Sequence, residues 1–218
     1  MASRDDPEAP RRTEPSLPSV RERMTAVTRG ADVQGADLTG IRGDVDAAHS
    51  HIVESLWDAP DVGTLDLTGG AMTDVRVSHP RATQVRARDA RWRDVSVEGG
   101  RVGSLDLLRA ELDGVVFRGV RIDYLGLAAA SLRHVRFVDC TFGALDLPEA
   151  RADRIAFEHC RADEVDARGL RAVHADLRGL DVLAFTDISG LRGVTLSPDQ
   201  AMQHGVAFAT ALGVRVRD

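Results

Sequence analysis

"VGSLDL", residues 102–107, stands midway between "VGTLDL" at 62–67 and "FGALDL" at 142–147. Near-copies at a fixed spacing signal an internal repeat, and a repeat decides the fold before any local propensity does. Stepping by five from Leu67 gives Leu67, Met72, Val77, Ala82, Ala87, Trp92, Val97, Val102, Leu107 and onward to Val182, 24 positions without a polar residue. A second set two residues earlier, including Leu65, Val75, Leu105, Ala110 and Val115, is almost wholly apolar or small. Asp, Arg, Glu, Gly, Ser and Thr fill most of the remainder. Neither the helical period of about 3.6 nor strand alternation of about 2 sustains a spacing of five over such a length. A chain that turns a corner every five residues does, sending two side chains inward per segment. Four segments close a square, so one coil takes 20 residues, and coils beginning at 42, 62, 82, 102, 122, 142 and 162 give about seven from 42 to 181.

"GADLTG" at 35–40 and "HADLRG" at 174–179 are the cleanest five-residue units, and the pattern resembles the pentapeptide-repeat family, with its consensus Ala-(Asp/Asn)-Leu-x-x. The resemblance covers roughly 31–190. It implies an all-β solenoid, a right-handed four-sided parallel β-helix, the hand coming from the resemblance alone.

Coils stacked about 4.8 Å apart place residues twenty apart in ladders, and seven coils make a rod about 34 Å long. One interior column reads Trp57, Val77, Val97, Phe117, Phe137, Phe157, Leu177, and another reads Leu65, Val85, Leu105, Leu125, Leu145, Val165. Ala90, Ala110, Ala130 and Ala150 supply the small residues that a narrow core needs opposite large ones. Cys140 and Cys160 share an inner column, close enough to bridge on distance alone, though small apolar filling accounts for them better.

Both ends of such a rod expose unpaired edges that require caps. Residues 1–19, rich in Pro and charge, read as a disordered tail, and 20–41 as an N-terminal cap and partial coil. Val33 and Leu38 lie one residue out of register, which a slip near "TGIRGD" (39–44) would absorb. Residues 46–57 fit either a coil or a short helix. The β-helix proper is expected over 42–190, followed by a C-terminal cap over 191–218. There Ser197, Pro198 and Gln200 open a helix of about 198–212, stopped by Gly213. Met202, Val206, Phe208, Ala209 and Leu212 are expected to cover the last coil or to join two copies.

All 28 Lys and Arg positions are arginine, which points to a GC-rich bacterial source, and the net charge of −6 disfavours direct nucleic-acid binding. The start lacks a signal-peptide core and no run approaches a membrane span, so a cytoplasmic protein is expected. No nucleophile elbow, phosphate-binding loop or metalloprotease motif occurs. His49, His51 and Glu54 have only a loose metal-like spacing, and His134 and His174 lie two coils apart. The expectation is no enzyme, cofactor or metal.

One outward column is acidic: Asp46, Asp66, Arg86, Asp106, Gly126, Asp146, Asp166, with Glu164 beside the last. Two explanations remain open. Aspartate is the outward residue that the family consensus favours at this site, or Asp46, Asp66, Asp106, Asp146, Asp166 and Glu164 form a partner-binding stripe. The resemblance implies for the second a DNA-mimicking modulator of gyrase or another topoisomerase that gives drug tolerance. Against uniform acidity, 62–181 holds 19 acids and 18 arginines, and Arg81, Arg101, Arg121 and Arg161 form a ladder of their own. The leading expectation is therefore a non-catalytic, protein-binding or scaffold rod, monomeric or a homodimer through its C-terminal helix.

Overall fold

The computed structural model describes residues 6–217. Among them the strands pair in parallel into two sheets, one of 11 strands and one of 8, wound as a four-sided solenoid. Each central coil contributes an eight-residue strand, such as Arg91–Glu98, and a six-residue strand, such as Arg101–Asp106. Pairing is at the twenty-residue offset throughout the middle of the rod, as in Arg81↔Arg101↔Arg121 and Val97↔Phe117↔Phe137. The short-strand sheet has eight rungs, from Arg42–Asp46 to Leu180–Asp187, one more than the seven expected. Residues 46–57 are coil: His51–Asp58 is a strand and carries Trp57 into the core.

Three corners of each coil from 42 to 161 are left-handed; in one coil these are Asp89, Asp94 and Gly99, while the corner at Gln84 is not. A chain without asparagine fills many such positions with Asp and His, whose short polar side chains tolerate that backbone better than bulky residues do. Inside, Phe117, Phe137 and Phe157 stack with ring centroids 5.1 and 4.8 Å apart, and Phe142 meets Phe137 edge-on at 5.5 Å. Offset and edge contacts of this kind add roughly 0.5–1.5 kcal/mol per pair beyond burial. The small-residue column Ala90, Ala110, Ala130, Ala150 is fully buried. Cys140 and Cys160 are free thiols in that core. The Cys140 thiol is pushed up by its hydrogen bond with Cys160 and by burial.

The forty-residue recurrence of the opening hexapeptide has its source at one tight point. A Cβ on Gly103 would lie 2.6 Å from the Thr83 carbonyl oxygen, and one on Gly143 would lie 2.5 Å from that of Asp123. The intervening coils carry Thr83, Asp123 and Asp163 at this position. Glycine and larger residues therefore alternate at this position, and the repeat here spans two coils.

The ends depart from the regular stack. Val33↔Ile52 and Leu38↔Trp57 pair at an offset of nineteen, and the shift to twenty falls between Gly43 and Val45, within the expected slip. Glu22–Met24 adds a further strand against Ala36–Thr39. At the other end the helix is broken in two, α1 (Pro198–Gln203) and α2 (Gly205–Ala211), with His204 between them. The covering face differs from the apolar one expected. Met202, Val206 and Leu212 are 73%, 63% and 82% exposed, whereas Gln200 and His204 are buried and Phe208 partly so. The last coil's need is polar: its carbonyls have no next strand to accept from. The Gln200 amide donates to Leu177 O at 2.8 Å and Leu180 O at 2.7 Å, while its oxygen accepts from the Ser197 N–H in a complete capping box. His204 sets its ring edge against Phe185 at 4.9 Å.

Residues 6–18 also differ from expectation. Instead of a loose tail they lie lengthwise along one corner, with Pro10, Thr13 and Pro15 buried. Residues 1–5, the rest of the expected tail, lie outside the described residues.

Two substitutions test this account by urea denaturation. Gly103→Ala should cost about 1–3 kcal/mol, because the new methyl overpacks against a backbone oxygen, while Ser131→Ala on an exposed rung stays within about 0.5 kcal/mol. Gln200→Leu should cost about 1–3 kcal/mol by leaving buried carbonyls unpaired.

Candidate partner-binding edge

The acidic column closes each short strand. Asp46, Asp66, Arg86, Asp106, Gly126, Asp146 and Asp166 pair rung to rung in the order read from the sequence. Immediately past this position the chain turns, and the turn explains the residue. The Asp66 carboxylate accepts the Thr68 N–H at 2.9 Å, Asp106 that of Leu108 at 3.1 Å, and Asp166 that of Arg168 at 3.0 Å. Asp46 does the same for Ala48 at 3.1 Å, and Asp176 for Arg178 at 3.1 Å. These are Asx turns, in which a short side chain supplies the acceptor that the turning backbone lacks. The Leu-Asp-Leu unit thus has a structural cause for its aspartate beyond facing water.

Nor is the column bare. Arg29 lies 3.0 Å from Asp46, Arg88 lies 2.6 Å from Asp106 and Arg168 lies 2.7 Å from Asp166. Burial works against ionisation of Asp66. The hydrogen bonds from Thr68 and the charges of Arg86 and Arg29 outweigh it and hold the carboxyl below its usual range. Asp166 is held low chiefly by its hydrogen bond to Arg168. On the neighbouring ladder Arg101 and Arg121 converge on Asp123, at 2.7 and 3.1 Å.

Asp146 breaks the rule. Residue 148 is proline and has no N–H to give, so the carboxylate accepts instead from the Tyr124 hydroxyl at 2.8 Å. Tyr124, the one tyrosine in the chain, lies across Gly126, where a Cβ would come within 3.0 Å of its ring. Its phenol is pushed up to about 12, by burial and then by Asp146. Sequence reasoning missed Tyr124; the signal was the glycine standing where the column has aspartate. Glu164 is exposed one rung from Ala144, next to the same stretch.

Other candidates resolve into structural contacts. His51 Nδ1 is 2.9 Å from Asp32, and the inward residue between His49 and His51, Ser50, donates to Ala47 O at 2.7 Å. Among the described residues no group of three or more His, Cys, Asp or Glu could hold a metal, and no helix is long and apolar enough to cross a membrane.

No family model and no curated protein matches the chain. Among solved structures it is similar to a trypsin-treated variant of QnrB1, described as a plasmid-mediated fluoroquinolone resistance protein. The likeness is 16% identical, covers 86% of this chain and 99% of that one, and has a TM-score of 0.22. At that score it bears on neither site nor activity.

The two roles of the aspartates separate experimentally. Asn keeps the Asx acceptor and loses only the screened attraction to Arg86 and Arg29, so Asp66→Asn should cost less than Asp66→Ala, which also loses the turn bond at about 1 kcal/mol. Asp66, Asp166 and Asp176 all have lowered folded values. Their contribution is complete above the unfolded carboxylate value and is lost as pH falls through the lower folded one. The melting temperature should therefore drop as pH falls below about 4.

Proposed function

We propose that this protein is a non-catalytic, protein-binding rod of the bacterial cytoplasm. The observation that carries this reading is the division of labour in the C-terminal helices. Gln200, His204 and Phe208 face the last coil, which leaves Met202, Val206 and Leu212 exposed on the outer side. An apolar face already relieved of its capping duty fits a protein interface, and a second copy is the simplest occupant. The rod then presents its polar ladders outward from a fixed base, as a scaffold does. Sedimentation should give about twice the 23.5 kDa chain mass at micromolar concentration. Met202→Asp with Val206→Asp should return a monomer with unchanged circular dichroism. A wild-type monomer would remove the dimer.

A second reading takes the acidic edge as a ligand for a DNA-binding groove on gyrase or another topoisomerase. Its support is the rung-to-rung alignment of Asp46, Asp66, Asp106, Asp146 and Asp166, with Glu164 beside them. The arginines between them weigh against it, since a continuous negative face is what mimicry of a phosphate backbone demands. Under this reading the protein alters gyrase supercoiling and its response to a quinolone, and a triple Asp66→Asn, Asp106→Asn, Asp146→Asn variant, still folded, loses that effect. No effect of the wild type removes the reading.

A further inference from the structure

The segment 6–18 occupies its corner by a consistent set of contacts. The corner is the column Asp74, Asp94, Gly114, His134, Arg154, His174, all left-handed. It lies diagonally opposite the corner at 64, 104 and 144 beside the acidic edge. The Glu8 N–H donates to His174 Nδ1 at 3.1 Å and the Arg11 N–H to His134 Nδ1 at 3.2 Å; the Ser16 N–H donates to Asp74 at 2.9 Å. The Glu8 carboxylate lies 2.7 Å from Arg154 and 3.8 Å from His174, and Asp6 lies 3.1 Å from Arg178. The Arg11 guanidinium bonds Asp94 and Asp113 over Gly114, where a Cβ would meet it at 2.3 Å. The glycine makes the notch, and the two aspartates line it.

The spacing is commensurate. Three residues of polyproline II advance about 9.3 Å, and two coils advance about 9.6 Å; Glu8 to Arg11 spans the first and His174 to His134 the second. Over the longer run, eight residues from Glu8 to Ser16 cover about 25 Å, against about 24 Å for the five coils from His174 to Asp74. Prolines at 7, 10, 15 and 18 favour that conformation, and Pro10 and Thr13, three apart, are buried. Charge fixes the direction: acids 6 and 8 lie over the arginine end of the column, and Arg11 over its aspartate end. Reversed about its midpoint, the segment would set Glu8 beside Asp74 instead of Arg154.

We propose that this corner is a docking track for an extended, proline-bearing segment with an acid followed three residues later by an arginine. Residues 6–18 are its resident ligand, held in cis, and the segment of a partner polypeptide with the same charge order displaces them. The track is independent of both surfaces in the preceding section.

The test uses the full chain and a fluorescent peptide of residues 5–19. A Glu8→Arg, Arg11→Glu chain releases its own segment and leaves the track intact. Removing a competitor held at high effective concentration should tighten peptide binding roughly a hundredfold over wild type. Adding Asp94→Asn and Asp113→Asn to that chain should abolish the gain, and a scrambled peptide should bind none of the three. Hydrogen exchange reports the resident state directly: the Glu8 and Arg11 amides should be protected in wild type and fast in the released chain. Equal binding by wild-type and released chains, equal binding of the scrambled peptide, or unprotected amides in wild type would each overturn the proposal.

Discussion

Everything in this molecule depends on each coil stacking on the next in a twenty-residue register. A strand in the middle of the rod has its backbone partners on the two neighbouring coils, so a shift of one residue would break the ladders and turn the core columns outward. The interior is narrow, and it tolerates only sequences that place two inward side chains in each segment of five. Phe117, Phe137 and Phe157 stack because their rungs stack. Ala90, Ala110, Ala130 and Ala150 keep one buried column small through four successive coils. The close approach at Gly103 and Gly143 is the same constraint acting on the backbone itself.

A stacked structure is weakest where stacking stops, and both ends of the rod solve this with polar chemistry. At the N-terminal end the offset falls from twenty to nineteen and an extra strand is laid on Ala36–Thr39. At the C-terminal end one glutamine both accepts from its own helix cap and donates to two orphaned carbonyls. A purely apolar cover would shield the last ring of side chains and leave those carbonyls without donors. That requirement separates the inner, polar face of the helices from their outer, apolar face.

The rod was legible in the sequence because burial there is periodic: spacing five named the inward residues, and the odd registers of Val33 and Leu38 located the slip. The caps were less legible. Amphipathic reasoning left Met202, Val206 and Leu212 either on the last coil or between two copies, since it counts apolar residues and is blind to an edge that wants hydrogen-bond donors. Residues 6–18 were read by composition as a disordered tail, and they lie instead against the rod. Their order comes from a surface already built by the coils, through contacts such as Ser16 with Asp74 and Asp6 with Arg178, 58 and 172 residues away. Composition carries no trace of that. His134 and His174 showed the two-coil spacing, but nothing in the sequence said that a backbone would span it.

The aspartates illustrate how a repeated residue should be weighed. Asp66, Asp106 and Asp166 each satisfy a turn, so their recurrence is explained before any partner is invoked. Information about function then lies in the rungs that abandon the rule. Proline at 148 removes the turn donor, Gly126 gives up the column's side chain, and Tyr124 fills the space and bonds Asp146. These are mutually dependent: a Cβ at 126 would press on the ring, and without the hydroxyl Asp146 would lose the partner that replaces its turn bond. Such a cluster costs the regular repeat two of its own devices at neighbouring rungs, and the coils on either side hold without it. At Tyr124 and Asp146 the edge therefore presents side chains that neither an Asx turn bond nor an ion pair occupies.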